Sequence, residues 1–273
     1  MSENRIQKHV ESPFGKVSYW IKKSEDPSAE CIFFLHGLTA DHTLFDKQME
    51  HFGGTYTVIV WDAPSHGKSR PYLEFSYANG AEDIRAILTA EGIVSAYMVG
   101  QSMGGYFVQA FLLKYPQMVK AFIGIDTCPF GLKYYTKSDL WWLRQIGWMS
   151  RCYPYKSLVN SIAKSVSATE YTRNNMLEAL KPYSKKELCT LMGMGYASFV
   201  KENCDMKIDC PVLVLVGEYD RTGKVRQYCQ QWHESENYPL HMIKNAAHNS
   251  NVDNYTKVNN EIEQFITRVL SGS

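Results

Sequence analysis

The chain has 273 residues and carries a net charge of +1, from 29 basic and 28 acidic side chains. So even a balance gives no long-range pull toward nucleic acid or an anionic membrane. The longest apolar runs, such as Cys31 to Leu35 and Pro211 to Val216, fall far short of the roughly 18–20 residues a membrane-spanning helix needs.

A chain of this length can bury one substantial core and carry an inserted subdomain. Short apolar runs alternate with longer segments of helical period, which predicts an α/β class with a mostly parallel sheet covered by helices. Met1 to Val10 is polar, so no secretory signal is expected. Val17 to Lys22 reads as an early strand in an antiparallel hairpin with the N-terminal segment. Cys31 to Leu35 is a buried strand running into His36-Gly37-Leu38. Asp41 to Phe52 reads as a helix stopped by Gly53-Gly54, and Thr57 to Trp61 as a strand ending in the turn-rich Asp62-Ala-Pro-Ser-His-Gly67. Ser76 caps a helix with Ala81, Ile84, Ile87 and Leu88 on one face and Gly92 at its end. The apolar run Ala96 to Val99 leads into Gly100-Gln101-Ser102-Met103-Gly104, and an apolar helix follows from Met103 to Tyr115, closed by Pro116. Ala121 to Ile125 is the next strand, ending at Asp126.

There the alternation breaks. From about Thr127 to Asp205 no strand is predicted, only several helices, one opened by the capping box Ser184-Lys-Lys-Glu187. The stretch is crowded with aromatics, among them Tyr134, Trp141, Trp142 and Trp148. The alternation resumes with the strand Pro211 to Val216, a helix near Lys224 to Glu234, the strand Leu240 to Ile243 and a last helix from about Asp253 to Leu270. One sheet domain, 1–126 with 206–273, is therefore interrupted once by a helical segment, 127–205. The seven cysteines form no CxxC pair and are odd in number. They read as small hydrophobes in a reducing, cytoplasmic setting, and a disulfide such as Cys204–Cys210 is not expected.

The chemistry-bearing residues fall at strand ends. Gly-x-Ser-x-Gly between a strand and a helix is a nucleophile elbow, a turn so tight that the serine projects above the sheet. A serine hydroxyl needs a base, and the base needs an orienting carboxylate. Asp220, after the strand Pro211 to Val216, and His248, after Leu240 to Ile243, answer that need. Asp126 and Glu218 remain alternatives for the acid. An oxyanion formed by attack on a carbonyl needs preorganised donors, for which the backbone N–H groups of Leu38 and Met103 are the candidates. His36 and His66 read as loop-holding residues, and His42 as a helix-start surface residue. No His, Cys, Asp or Glu cluster has metal-ligand spacing, so no metal is expected.

Together, Leu35-His-Gly37, Asp62-Ala-Pro-Ser-His-Gly-Lys-Ser69, Gly100-Gln-Ser-Met-Gly-Gly105, Val216-Gly-Glu-Tyr-Asp220 and Ala247-His-Asn249 span residues 31 to 249. In this order they resemble the α/β-hydrolase superfamily, in the lid-bearing subgroup of carboxylesterases, monoacylglycerol lipases and meta-cleavage-product hydrolases. The resemblance implies acyl-enzyme chemistry without a cofactor, and a pocket between a helical cap and the sheet. The partner it implies is a small or medium hydrophobic ester. Trp141, Trp142, Trp148 and Tyr134 are candidates to line that pocket. Two other readings keep the same three side chains: a C–C hydrolase or lyase of the meta-cleavage type, and a hydrolase-like receptor for a small molecule.

Overall fold

The computed structural model describes residues 5–272, so the first four residues of the polar N-terminal stretch lie outside it. Among the described residues eight strands form: β1 (Ile6–Ser12), β2 (Gly15–Lys22), β3 (Cys31–Leu35), β4 (Thr57–Trp61), β5 (Ala96–Gln101), β6 (Val119–Ile125), β7 (Val212–Gly217) and β8 (Leu240–Ile243). They make one sheet in the order β1-β2-β4-β3-β5-β6-β7-β8. The β1–β2 and β2–β4 pairs are antiparallel, and every pair from β4 to β8 is parallel. Strands covered on both faces need no polar alternation, which is why β3, β5 and β7 are buried along their whole length.

Helices α1 (Asp46–Phe52), α2 (Tyr77–Ala90), α3 (Met103–Lys114), α8 (Val225–Glu236), α9 (Ser250–Asp253) and α10 (Tyr255–Ser271) accompany the sheet strands. Side chains of α2, α3 and α8 pack on one face, with Phe33, Trp61 and Phe122. Those of α1 and α10 pack on the other, with Phe34, Val60 and Leu213. The helix expected from Asp41 begins as a 3₁₀ turn over His42–Phe45 before α1, a common tightening at helix starts. Ser76 caps α2 as expected, accepting from the Asn79 N–H.

Between β6 and β7 the chain leaves the sheet as α4 (Lys137–Arg151), α5 (Tyr155–Ser165), α6 (Glu170–Leu180) and α7 (Lys185–Glu202). The capping box at Ser184 and Glu187 forms. A second one, Thr136 with Asp139, opens α4; its aspartate stands where glutamate or glutamine is usual. Helices α4 and α7 cross so closely that a Cβ on Gly147 would lie 2.6 Å from the Gly193 Cα. The Glu202 carboxylate at the end of α7 accepts from the Tyr77 and Ala78 N–H groups, 3.1 and 2.8 Å away. That places a negative charge on the N-terminus of α2, where the helix dipole favours it.

Candidate functional site

The strand order reverses at the centre of the sheet: β3 leads outward to β4, and β5 outward to β6 and beyond. Loops leaving the carboxyl ends of β3 and β5 therefore part and leave a crevice. Ser102 stands there, between β5 and α3, with φ +50° and ψ −119°. A non-glycine residue held this way costs on the order of 1–3 kcal/mol and persists only where its surroundings over-determine it. Here they do. The Ser102 N–H donates to the Ile125 carbonyl at 2.9 Å, and its own carbonyl accepts from Thr127 Oγ1 at 2.6 Å. A Cβ at Gly100 would meet the Gly105 nitrogen at 2.5 Å, and one at Gly104 the Leu35 carbonyl oxygen at 1.9 Å. Only glycine lets helix and strands approach this far.

The other two side chains arrive from the ends of β7 and β8. His248 Nε2 lies 2.8 Å from Ser102 Oγ, and its Nδ1 lies 2.8 Å from Asp220 Oδ2. Both residues are buried. Burial would lower the His248 pKa, but the charge and hydrogen bond of Asp220 outweigh it and hold the imidazole above its ordinary value. Burial would likewise raise Asp220, and His248 outweighs it, so the carboxylate sits below its ordinary value. Such a chain can withdraw the proton of a hydroxyl and stabilise the imidazolium that results.

The loop carrying His248 is fastened at four points. Its carbonyl accepts from Gln101 Nε2 at 2.8 Å; Ala247 N–H donates to Asp253 and Asn249 N–H to the Val166 carbonyl. The fourth point is Asp126. This wholly buried carboxylate accepts from Gly217 N–H at 2.7 Å, Ser250 N–H at 3.1 Å and Ser250 Oγ at 2.5 Å. It joins the loops after β7 and β8 without a bond to His248. Burial first, then the nearby Asp220 charge, pushes its pKa up to about 8. Glu218 points elsewhere and accepts from the Asn245 N–H. Of the three acids weighed from the sequence, Asp220 is the one bonded to the imidazole.

His36 and His66 staple the loops after β3 and β4. Ala63 N–H donates to His36 Nε2 at 2.9 Å, and Thr39 N–H to His66 Nε2 at 3.2 Å. Each ring must therefore be neutral at Nε2. Burial pushes both pKa values down, that of His66 to about 3. These staples fix the turn at Gly37 and Leu38. The Leu38 and Met103 residues border the same cavity as Ser102 and His248. His42 turns away to Asp62, 2.7 Å distant, and stacks on Trp20.

That cavity holds about 170 Å³. Its wall includes the aromatics Tyr77, Tyr106 and Phe199 together with Leu143 and Ile146 of α4. The Tyr77 hydroxyl is tied to the Gly195 carbonyl at 2.9 Å and that of Tyr135 to the Pro129 carbonyl at 2.7 Å. The four aromatics expected to line a pocket do not border this one. Trp141, Trp142 and Trp148 are exposed on α4, and Tyr134 is buried beside Glu236. The reason is helical geometry: residues 143 and 146 share the inner face, 141 and 148 fall across from it, and 142 falls on its flank, where it stays exposed. Spacing within Leu143-Arg-Gln-Ile146 was the signal available for the inner face. Among the described residues no group of three or more His, Cys, Asp or Glu could hold a metal ion, no helix is long and apolar enough to cross a membrane, and all seven cysteines are free.

A family model described as alpha/beta hydrolase fold matches residues 30–255. Among curated proteins, the chain is 29% identical over 159 residues to ethanol acetyltransferase 1 of Cyberlindnera jadinii, covering 54% of this chain and 47% of that protein. The chain thus spans under half the length of that relative. It is 24% identical over 263 residues to 3-oxoadipate enol-lactonase 1 of Acinetobacter baylyi, covering 90% of this chain and 88% of that one. Among solved structures, a thermophilic esterase from Thermogutta terrifontis superposes with a TM-score of 0.76 at 17% identity, over 97% of this chain and 99% of that chain.

Proposed function

Because this chain belongs to the α/β-hydrolase fold family, we propose that it is a serine hydrolase cleaving small or medium hydrophobic carboxylic esters through an acyl-enzyme. The observation that carries the reading is the unbroken pair of 2.8 Å hydrogen bonds from Ser102 through His248 to Asp220. Ser102 Oγ attacks the ester carbonyl as His248 Nε2 takes its proton. Asp220 holds the imidazole in the required tautomer and stabilises the imidazolium. The Leu38 and Met103 N–H groups receive the oxyanion, each donor contributing about 2.7–4 kcal/mol to the transition state. His248 then returns the proton to the departing alcohol. Water, deprotonated by the same ring, releases the acid.

Helices α4 to α7 act as a cap whose inner face closes the acyl pocket. A cavity of roughly 150 Å³ holds a benzene molecule, so about 170 Å³ suits an acyl or alkyl group on the order of six carbons. The names of the relatives, an acetyltransferase, an enol-lactonase and an esterase, all describe acyl chemistry in those proteins. The test is a chromogenic ester panel of graded acyl length on wild type and Ser102→Ala. Wild type turns over repeatedly with an optimum at short to medium chains, and the variant loses about 10⁶-fold in kcat. Activity surviving in Ser102→Ala removes the nucleophile. A single stoichiometric turnover by wild type points to a receptor instead.

A further inference from the structure

Helix α4 has two unlike faces. Inward, Leu143 and Ile146 border the cavity at Ser102. Outward, Trp141, Trp142 and Trp148 are 53%, 56% and 66% exposed. Scattered exposed hydrophobics are ordinary, but three indoles grouped on one helix are not. The Trp141 and Trp142 rings pack edge to face in solvent, 4.8 Å apart.

At 3.6 residues per turn, Trp141 and Trp148, seven apart, lie along one line of the helix. Lys137, Arg144 and Arg151, also at intervals of seven, form a second line directly beside it. All three cations are exposed, and among the described residues none has an ion-pair partner. The one acid of α4, Asp139, is bound to Lys224 at 2.7 Å. The outer face therefore combines the Trp141 and Trp148 indoles with unpaired positive charge, and Trp142 stands on the flank against Trp141. The chain's near-zero net charge, read from the sequence as giving no pull toward an anionic membrane, averages this local line away.

We propose that α4 docks the protein on the anionic leaflet of a phospholipid membrane, the Trp141 and Trp148 indoles at headgroup depth and the Lys137–Arg144–Arg151 line on lipid phosphates. Indole rings, with an apolar body and a polar N–H, favour this boundary, and a basic, aromatic helix lying in the interface has the required composition. A second copy of the chain fits less well. Two-fold packing on this face would bring each cationic patch toward its own copy, with no acid to meet it.

Flotation with vesicles of phosphatidylcholine alone, and of phosphatidylcholine and phosphatidylglycerol in equal parts, tests the proposal on the full chain. Wild type floats with the anionic vesicles, its tryptophan emission shifts to the blue, and added salt releases it. The double variant Arg144→Gln/Arg151→Gln partitions about 25-fold less, from roughly fivefold per cation near an anionic surface. Trp141→Ala/Trp148→Ala loses binding while hydrolysing a water-soluble ester at the wild-type rate, which separates this outcome from failure of the hydrolase reading. Three results overturn the proposal. They are no flotation with anionic vesicles, binding equal in all variants, or a dimer in light scattering that the tryptophan variant dissolves.

Discussion

Replacing Asp220 with asparagine probes the relay at its buried end while keeping size and shape. The carboxylate lies 2.8 Å from the ring nitrogen of His248. At an effective dielectric constant near 20, opposite charges at that separation attract by about 6 kcal/mol. That interaction exists only once His248 has accepted the proton of Ser102, so its loss falls on the transition state. An asparagine can also present its amide to the ring and favour the wrong tautomer. Both effects together lower kcat by about 10⁴-fold, measured with a saturating chromogenic ester. The pH profile gives a second reading. In the proposed mechanism His248 acts as a neutral base, and its raised pKa places the acid limb of kcat/KM above the ordinary imidazole value in wild type. Without the Asp220 charge only the lowering effect of burial remains dominant, so the limb moves to lower pH. Asp126→Asn keeps the bond between residues 220 and 248, and its kcat falls less than about tenfold. A crippled Asp126→Asn beside a healthy Asp220→Asn, both folded by thermal melting, refutes the assignment of the acid.

The same Asp126 carries a stability signature. Its folded pKa is raised from the ordinary 3.8 to about 8, so between those values the folded chain holds a proton that the unfolded chain releases. Stability must then fall as pH rises through that window, and Asp126→Asn flattens the slope in denaturant unfolding; an unchanged slope contradicts it. Phe199 is 1% exposed and walls the cavity against Tyr106 at a ring distance of 4.5 Å. Phe199→Ala costs about 3–5 kcal/mol in stability and moves the ester optimum to longer acyl chains, which the same panel reads. Gly104→Ala sets a Cβ 1.9 Å from the Leu35 carbonyl oxygen, a backbone clash that no rotamer relieves. It costs about 3 kcal/mol and abolishes hydrolysis; a stable, active variant argues against the tight elbow.

Much of this molecule was legible in the linear chain because its signals are local. Cys31 to Leu35 and Thr57 to Trp61 are apolar runs of strand length bounded by turn formers, and they form strands over those same residues. Ser76 and Ser184 cap helices because a hydroxyl reaches an N–H three residues on, whatever the tertiary context. The elbow is equally local: glycine at 100 and 104 admits only one way for strand and helix to meet. Strand ends nominated Asp220 and His248 but left Asp126 and Glu218 open as alternatives for the acid. That choice rests on a 2.8 Å contact between loops 28 residues apart, which depends on the parallel pairing of β7 and β8. The inserted helices show where composition stops deciding. Tryptophan content marks the segment as apolar, yet which side of α4 turns inward follows from its crossing with α7 at Gly147 and Gly193. Residue type and period are properties of the chain. The direction in which a helix faces is fixed only when two surfaces compete for the same contact.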